Sequence, residues 1–152
     1  MKSLHLITVG KLKDKSYLSL ESEYLKRLKD IQFNIHEVKS HEENLDREAD
    51  EVLKKINQIE KNGKAKIILL TEKGEKRNSV QFSNWLYKLF EISTSVILII
   101  GGASGHGEKV YQASHQEMSL SPLTFPHKMA RLILIEQIYR AETIYIGHPY
   151  NK

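Results

Sequence analysis

The sequence predicts an α/β protein built on a mainly parallel sheet with helices on both faces. Short apolar segments with strand character alternate with segments whose apolar side chains recur at helical spacing. Two strand segments, residues 67–70 and 96–100, are unbroken aliphatic runs, which suit central strands covered on both faces. Glycine follows each run within a few residues. Because ligands bind beyond the carboxyl ends of such strands, we expect a site at these loops.

The first predicted elements are a strand at residues 4–9, which Gly10 ends, and an amphipathic helix at residues 16–30. The turn between them is basic and contains Lys11, Lys13 and Lys15. Apolar and polar residues alternate over residues 31–36, which predicts a half-buried strand near an edge of the sheet.

Two further helices are predicted in the middle of the chain. Residues 45–59 carry apolar side chains at helical spacing, and Gly63 is placed to end that helix. The segment between the two aliphatic runs carries Phe82, Trp85, Leu86 and Phe90 on a second helix. A short helix is expected to begin at Glu108.

Length and composition bound the answer further. The 152 residues suit one domain, 1–152, and 40% hydrophobic residues are enough for a folded core. There is no cysteine, signal peptide or apolar run long enough to span a membrane, so a cytoplasmic location is expected. A net charge of +4 is compatible with an RNA partner but points to it only weakly.

The first candidate loop, residues 101–107, contains four glycines and follows a predicted strand. Glycine lets the backbone approach a ligand closely. The loop lacks the Lys-Ser/Thr pair of a phosphate-binding P-loop, and its glycine spacing differs from the dinucleotide fingerprint. A plain glycine turn is the alternative interpretation.

The second candidate loop, residues 119–127, contains Pro122 and Pro126. Proline fixes the backbone angle φ, so a rigid loop of this kind can present amides and carbonyls to an adenine edge. The alternative is a simple connector between a short strand and a helix that Pro126 or His127 opens.

The predicted helix at residues 127–141 has apolar side chains on nearly every side, so it needs cover from more than one layer. A homodimer interface would supply that cover, and burial within one subunit is the competing explanation.

The arginines of this predicted helix have two interpretations. Glu136 and Arg140 have the spacing of a structural ion pair, whereas an arginine aimed into a site would contact phosphate or an oxyanion. The histidines are dispersed, so we expect no metal.

Several short motifs stand out when they are taken together. They are Ile99-Ile100-Gly101-Gly102 with Gly105, Leu120-Ser121, Thr124-Phe125-Pro126-His127, Arg131, Glu136-Gln137, Tyr139-Arg140-Ala141 and Tyr150. In this combination they resemble the RlmH family of ribosomal RNA methyltransferases, which belongs to the SPOUT class. The opening motif Val9-Gly10-Lys11-Leu12 also matches, so the resemblance covers essentially the whole chain.

This resemblance implies a SPOUT-type α/β fold whose carboxyl-terminal segment is threaded into a trefoil knot, an exception to the usual rule against threading. It also implies a homodimer with an active site completed by the second subunit, and the cofactor S-adenosyl-L-methionine, gripped by three loops. The matching residues are Leu70, Gly102, Ser121, Pro122, Leu123, Thr124, Phe125 and Pro126. The implied substrate is N3 of a pseudouridine in large-subunit ribosomal RNA within the assembled ribosome.

An imide nitrogen is a poor nucleophile while protonated, so the site must favour its anion through a base or through cations near its oxygens. Arg140 and Tyr150 are our candidates, with His148 as a third catalytic residue. Arg131 and Lys152 are candidates for RNA contacts. Where the family usually has Tyr-His and a basic residue, this chain has Tyr150-Asn151-Lys152.

That departure leaves three possibilities. Asn151 fills a hydrogen-bonding role of the usual histidine, His148 substitutes for it, or activity is weakened; we favour the first. Two rival functions also stay open. One is a SPOUT methyltransferase of transfer RNA, and the other is a non-catalytic protein that binds cofactor and RNA on the ribosome.

Overall fold

The computed structural model describes residues 2–42 and 44–152. The strands of this part of the chain are β1 (Lys2–Val9), β2 (Ile31–Val38), β3 (Ala65–Lys76), β4 (Ser95–Ile100) and β5 (Gln116–Ser119). The helices are α1 (Lys15–Leu25), α2 (Leu45–Ile59), α3 (Ser79–Ile92), α4 (Glu108–Ala113) and α5 (His127–Ile146), with a short 3-10 turn (Glu60–Asn62) after α2.

The strands form one sheet in the order β2-β1-β4-β3-β5, and every neighbouring pair is parallel. The predicted α/β architecture is therefore confirmed. Strand β2 lies at an edge, as its alternating pattern predicted, and the two aliphatic runs fall in the interior strands β3 and β4. The carboxyl ends of parallel strands meet at one edge of the sheet, which we call the carboxyl edge.

Helices cover both faces of the sheet. On one face, Leu4, Leu98 and Leu86 share a buried core with Leu134 and Ile138 of α5. The core of the other face is built from β-strand residues packed against α2 and α4, with Val52, Ile56 and Val110 among its members. Strand β4 is buried on both faces, because its side chains alternate between these two cores. Among the described residues, no helix is both long and apolar enough to cross a membrane.

Helix α1 ends at Leu25, although the apolar pattern predicted a helix to residue 30. A partner distant in sequence explains the difference. The backbone N–H groups of Lys29, Asp30 and Ile31 donate to the buried carboxylate of Glu142 at 2.7 to 3.2 Å. These hydrogen bonds hold the segment in a turn and start β2.

Helix α5 is longer than predicted and continues from residue 141 to Ile146, where Gly147 ends it at a φ of +78°. The helix packs against both α1 and α3. Its residues Leu134, Ile135 and Ile138 are fully buried within one subunit. Burial inside the chain therefore accounts for much of the apolar character that the sequence shows.

Strand β3 is also longer than the aliphatic run that predicted it. Its pairing with β5 is interrupted after Leu70 and resumes at Glu75, so residues 71–74 bulge out at the carboxyl edge. Gly74 returns the chain to the strand, and a Cβ there would lie 2.5 Å from the backbone carbon of Met118. A polar bulge carries no apolar periodicity, so the sequence pattern ended at Leu70.

Candidate functional site

A cavity of about 440 Å³ opens at the carboxyl edge. It lies between the bulge of β3, the glycine loop after β4 and the loop that joins β5 to α5. The predicted cofactor residues that line it are Leu70, Gly102, Ser121, Leu123, Thr124 and Phe125. Pro122 and Pro126 belong to the same loop but do not line the cavity.

The glycine loop is a tight turn whose backbone forms one wall of the cavity. The N–H of Gly105 donates to the carbonyl of Gly102 at 3.0 Å, and Gly105 has a φ of +87°. A Cβ on Gly101 would lie 2.5 Å from the carbonyl oxygen of Gly105. Glycine at position 101 is therefore required for the close packing of this turn.

Gly102 packs closely against two side chains beneath the loop. A Cβ there would lie 3.0 Å from Oε1 of Glu48 and 3.2 Å from Cγ1 of Val9. Glu48 is buried, and its other oxygen accepts hydrogen bonds from Ser40 and from the N–H of His41. The loop therefore rests on a packed layer beneath it.

The loop between β5 and α5 is held by short-range hydrogen bonds. The Ser121 hydroxyl accepts from the N–H of Leu123 at 3.0 Å, and the Ser119 hydroxyl donates to the carbonyl of Ser121 at 2.9 Å. Pro126 has a φ of −56° and directly precedes α5, which begins at His127. The prolines shape the loop, while its other residues face the cavity.

Two hydrogen bonds tie the three segments together across the cavity. The ring of His106 donates from Nε2 to the carbonyl of Leu70 at 2.8 Å. Burial lowers the pKa of His106, although its bond to Leu70 acts in the opposite direction, and a lowered pKa favours the neutral ring. The Thr124 hydroxyl donates to Glu72 at 2.8 Å, which joins the proline-containing loop to the bulge of β3.

Sequence reasoning missed several residues that line the cavity. They are Thr71, Glu72, Lys73, His106, Tyr111 and Glu117. His106 lay inside a candidate loop, where its titratable ring was an available signal. The bulge residues gave no such signal in the sequence, because the aliphatic run that predicted β3 ended at Leu70. In the described part of the chain, no group of three or more acidic or histidine side chains is placed to hold a metal ion.

The carboxyl-terminal tail, residues 147–152, packs against α5. Arg140 donates to both oxygens of Glu136, at 2.8 and 3.3 Å, and to Oδ1 of Asn151 at 3.0 Å. Its guanidinium carbon lies 4.8 Å from the centroid of the Tyr150 ring. The Glu136–Arg140 ion pair that the spacing indicated is therefore present, and Asn151 takes part in its hydrogen-bond network.

The pKa values of Arg140 and of the tail residue Tyr150 are both raised. The hydrogen bond and charge of Glu136 raise the pKa of Arg140, and burial together with Glu136 raises the pKa of Tyr150. The Nδ1 atom of His148 accepts from the N–H of Tyr150 at 3.2 Å, which leaves the proton of a neutral ring on Nε2. This arrangement suits stabilisation of an anion better than removal of a proton.

Arg131 occupies a buried ion-pair cluster. Its Nε lies 2.8 Å from Glu21 and its Nη1 lies 2.7 Å from Glu37. Only 8% of the Arg131 side chain is exposed, so the guanidinium faces the protein interior. Although burial acts to raise it, the pKa of Glu37 is lowered by the N–H of Leu12 and by Arg131. These contacts indicate a structural role for Arg131, and they do not support the predicted contact with RNA.

Comparison with known proteins assigns the chain to a family. The family described as "Predicted SPOUT methyltransferase" matches residues 1–151. The ribosomal RNA large subunit methyltransferase H of Bacteroides fragilis is 36% identical, over 96% of both chains. The proteins of the same name from Bacillus pumilus and Enterococcus faecalis are 34% and 36% identical, over 99% and 98% of this chain and 99% of each relative. The chain therefore belongs to the SPOUT methyltransferase family and, within it, to the RlmH group.

Proposed function

We propose that this protein transfers a methyl group from S-adenosyl-L-methionine to large-subunit ribosomal RNA. The observation that carries the proposal is the carboxyl-edge cavity. Leu70, Gly102 and four of the predicted residues in the loop after β5 line it from three separate segments, and these segments correspond to the three cofactor loops that the family resemblance implies. They meet at the edge of a parallel sheet where ligands bind.

The residues of the cavity suit this cofactor. Its volume of about 440 Å³ lies in the usual range for small-molecule sites. Ile100, Leu120 and Phe125 supply an apolar wall for an adenine ring, and Thr71 and Glu72 supply polar groups at the rim. The cofactor, when bound, would supply an electrophilic methyl group.

We assign stabilisation of the methyl acceptor to the tail. The proposed acceptor, N3 of a pseudouridine, becomes nucleophilic as its anion. Arg140 and Tyr150 would donate to the pyrimidine oxygens and favour that anion, and His148 can donate from Nε2. Lys152 is exposed at the end of the chain and is assigned to RNA phosphate. Asn151 fills a hydrogen-bonding role by accepting from Arg140.

The distance between tail and cavity favours a homodimer. Ala130 lines the cavity, and the rise of an α-helix places Arg140 about 15 Å further along α5. The tail is held at that far end by its contacts with Arg140 and Tyr139. These contacts hold the tail away from the cavity of its own subunit, which favours a tail supplied by a second copy.

Exposed apolar side chains on α1 and α5 offer a surface for such a dimer. They are Leu18, Leu20, Met129, Tyr145 and Ile146, each between 40% and 56% exposed. Leu18 and Leu20 stay exposed within one chain, and a second subunit would cover them.

We also propose the threaded topology of the family. Helix α5 packs against both α1 and α3, whereas β5 lies on the far side of β3. The chain after β5 therefore has to cross the connection from β3 to α3, which is where a knot would form. We propose in addition that residues 1–152 act as one domain and that the protein works in the cytoplasm, where ribosomes are.

Mass spectrometry of RNA from a strain that lacks this protein tests the function. We expect one methylated pseudouridine of large-subunit RNA to lose its methyl group. Wild-type protein should restore it. Loss of a methyl group from transfer RNA alone would favour the rival substrate. Unchanged methylation together with cofactor binding would favour a non-catalytic protein.

A further inference from the structure

Four exposed lysines lie on the two connections that follow the neighbouring strands β1 and β2 and at the first residue of α1. They are Lys11, Lys13, Lys15 and Lys39, and we call them the basic strip. None of them forms an ion pair with any residue in 2–42 or 44–152. Lys2, Lys26 and Lys109, in contrast, each lie within 3.1 Å of a carboxylate. The strip therefore carries positive charge that no carboxylate of this part of the chain neutralises directly.

The backbone beneath the strip is held in place. Leu12 is buried, and its N–H donates to Glu37 at 2.8 Å. The N–H of Gly10 donates to the carbonyl of Val38 at 2.8 Å, which joins the two connections. Asp14 caps α1 by accepting from the N–H of Ser16 at 2.9 Å. Because the loop is already ordered, a partner that binds the lysines need not order its backbone.

The strip continues to the mouth of the cavity. Lys128, in the first turn of α5, lies 3.7 Å from Asp14, between Lys13 and Lys15. Its neighbour His127 lines the cavity. One turn further along α5, Arg131 binds the same Glu37 that holds Leu12. The buried arginine thus helps to fix the loop from which the lysines project.

We propose that the basic strip holds the phosphate backbone of the RNA substrate beside the cavity. The proposal rests on the function proposed above and assigns a surface to its RNA partner. Exposed lysines without ion pairs are suited to phosphates, because each contact releases counterions from the RNA. Such contacts position the RNA without reading its sequence.

The test compares two triple variants of the full-length protein. The strip variant carries Lys11→Gln, Lys13→Gln and Lys39→Gln. The control carries Lys29→Gln, Lys61→Gln and Lys88→Gln, whose lysines are also exposed and lie on segments near the opposite edge of the sheet. Each variant lowers the net charge of +4 by three, so any difference between them reflects position.

Binding to ribosomes is measured over a range of salt concentrations, and cofactor affinity is measured by calorimetry. We expect the strip variant to bind ribosomes about tenfold more weakly or worse, with a salt slope smaller by about 2. The control should resemble wild type, and both variants should bind the cofactor normally. Equal losses in the two variants, or an unchanged salt slope, would overturn the proposal. If the wild-type protein binds the cofactor but not ribosomes, both the basic-strip proposal and the proposed function are wrong.

Discussion

Gly102 lies where β4 ends, and the space for its absent side chain is already taken by Glu48 and Val9. A Cβ there would press on both side chains, and the two methyl groups of valine would add to this crowding and push the loop towards the cavity. We therefore expect Gly102→Val to weaken binding of S-adenosyl-L-methionine in calorimetry by at least about tenfold. A shift of this kind corresponds to roughly 1.4 kcal/mol of binding free energy.

Ser104→Val is the matched control for this substitution. Ser104 is exposed in the same loop and does not line the cavity, so its replacement should leave affinity unchanged. If a folded Gly102→Val protein binds the cofactor with wild-type affinity, the glycine loop is not part of the cofactor site.

His5 and His36 form a histidine pair on β1 and β2, with Nδ1 of His5 2.9 Å from Nε2 of His36. Burial, together with the charge of His36, lowers the pKa of His5 from its usual 6.5 to about 4. The unfolded chain therefore takes up this proton first. The contribution of His5 to stability is complete above pH 6.5 and declines as the pH falls towards 4.

We expect the urea midpoint of wild type to fall more between pH 7.5 and pH 5 than that of His5→Gln, which removes the titrating ring. Because the ring is half-exposed, the difference should be modest. Identical pH profiles for the two proteins would show that the pair does not titrate in this range.

At the scale of elements, Arg131 joins α5 to α1 and β2 through Glu21 and Glu37. Arg131→Ala would leave the buried carboxylate of Glu21 without its partner. We expect the free energy of unfolding to fall by about 3 kcal/mol in urea titrations.

Lys128→Ala provides the comparison on the same helix. Lys128 is exposed and Asp14 is partly exposed, so loss of their ion pair should cost less than about 1 kcal/mol. If Arg131→Ala were as stable as Lys128→Ala, and bound ribosomes poorly, the arginine would be an RNA contact after all.

The tail is the second element with a separable role. Deletion of residues 150–152 removes Tyr150, Asn151 and Lys152 but leaves the cavity intact. We expect cofactor affinity to be retained while methylation of ribosomes falls by orders of magnitude. Arg140→Ala should behave in the same way.

Arg140→Ala also breaks the ion pair with Glu136, so its melting temperature must be compared with that of Glu136→Gln before activity is interpreted. If the tail-deleted protein folds, binds the cofactor and methylates ribosomes at the normal rate, the tail takes no part in methyl transfer.

At the scale of the whole molecule, the separation of cavity and tail leads to a complementation experiment. We expect a dimer in sedimentation at micromolar concentration. The Gly102→Val subunit should bind the cofactor poorly, and the tail-deleted subunit should lack an acceptor site. In a 1:1 mixture after exchange, half the dimers are mixed and each has one complete site, so about a quarter of wild-type activity should return. Two inactive proteins that stay inactive when mixed, despite exchange, would contradict a composite site.

Local patterns predicted much of this protein. The alternation of strand and helix segments indicated a parallel sheet, because each element buries an apolar face with its own period. The alternation of apolar and polar residues in β2 predicted its position at an edge of the sheet. The unbroken aliphatic run of β4 predicted its position in the interior. Two glycine- or proline-containing loops were singled out because their backbone geometry suits a ligand, and residues of both line the cavity.

Contacts between distant parts of the chain decided the rest. The placement of β5 beyond β3, the bulge of residues 71–74 and the early end of α1 at Leu25 depend on partners up to 113 residues away. The tertiary structure also decides which partner each charged side chain meets and whether it is buried. Arg131 and Arg140 lie on one helix with the same chemistry, yet one is buried between two carboxylates and the other holds the tail. Sequence by itself determined which segments form elements and which loops can bind, because periodicity and backbone freedom are local properties. Only the tertiary structure decided which side chains meet, since long-range pairing leaves no periodic signal in the sequence.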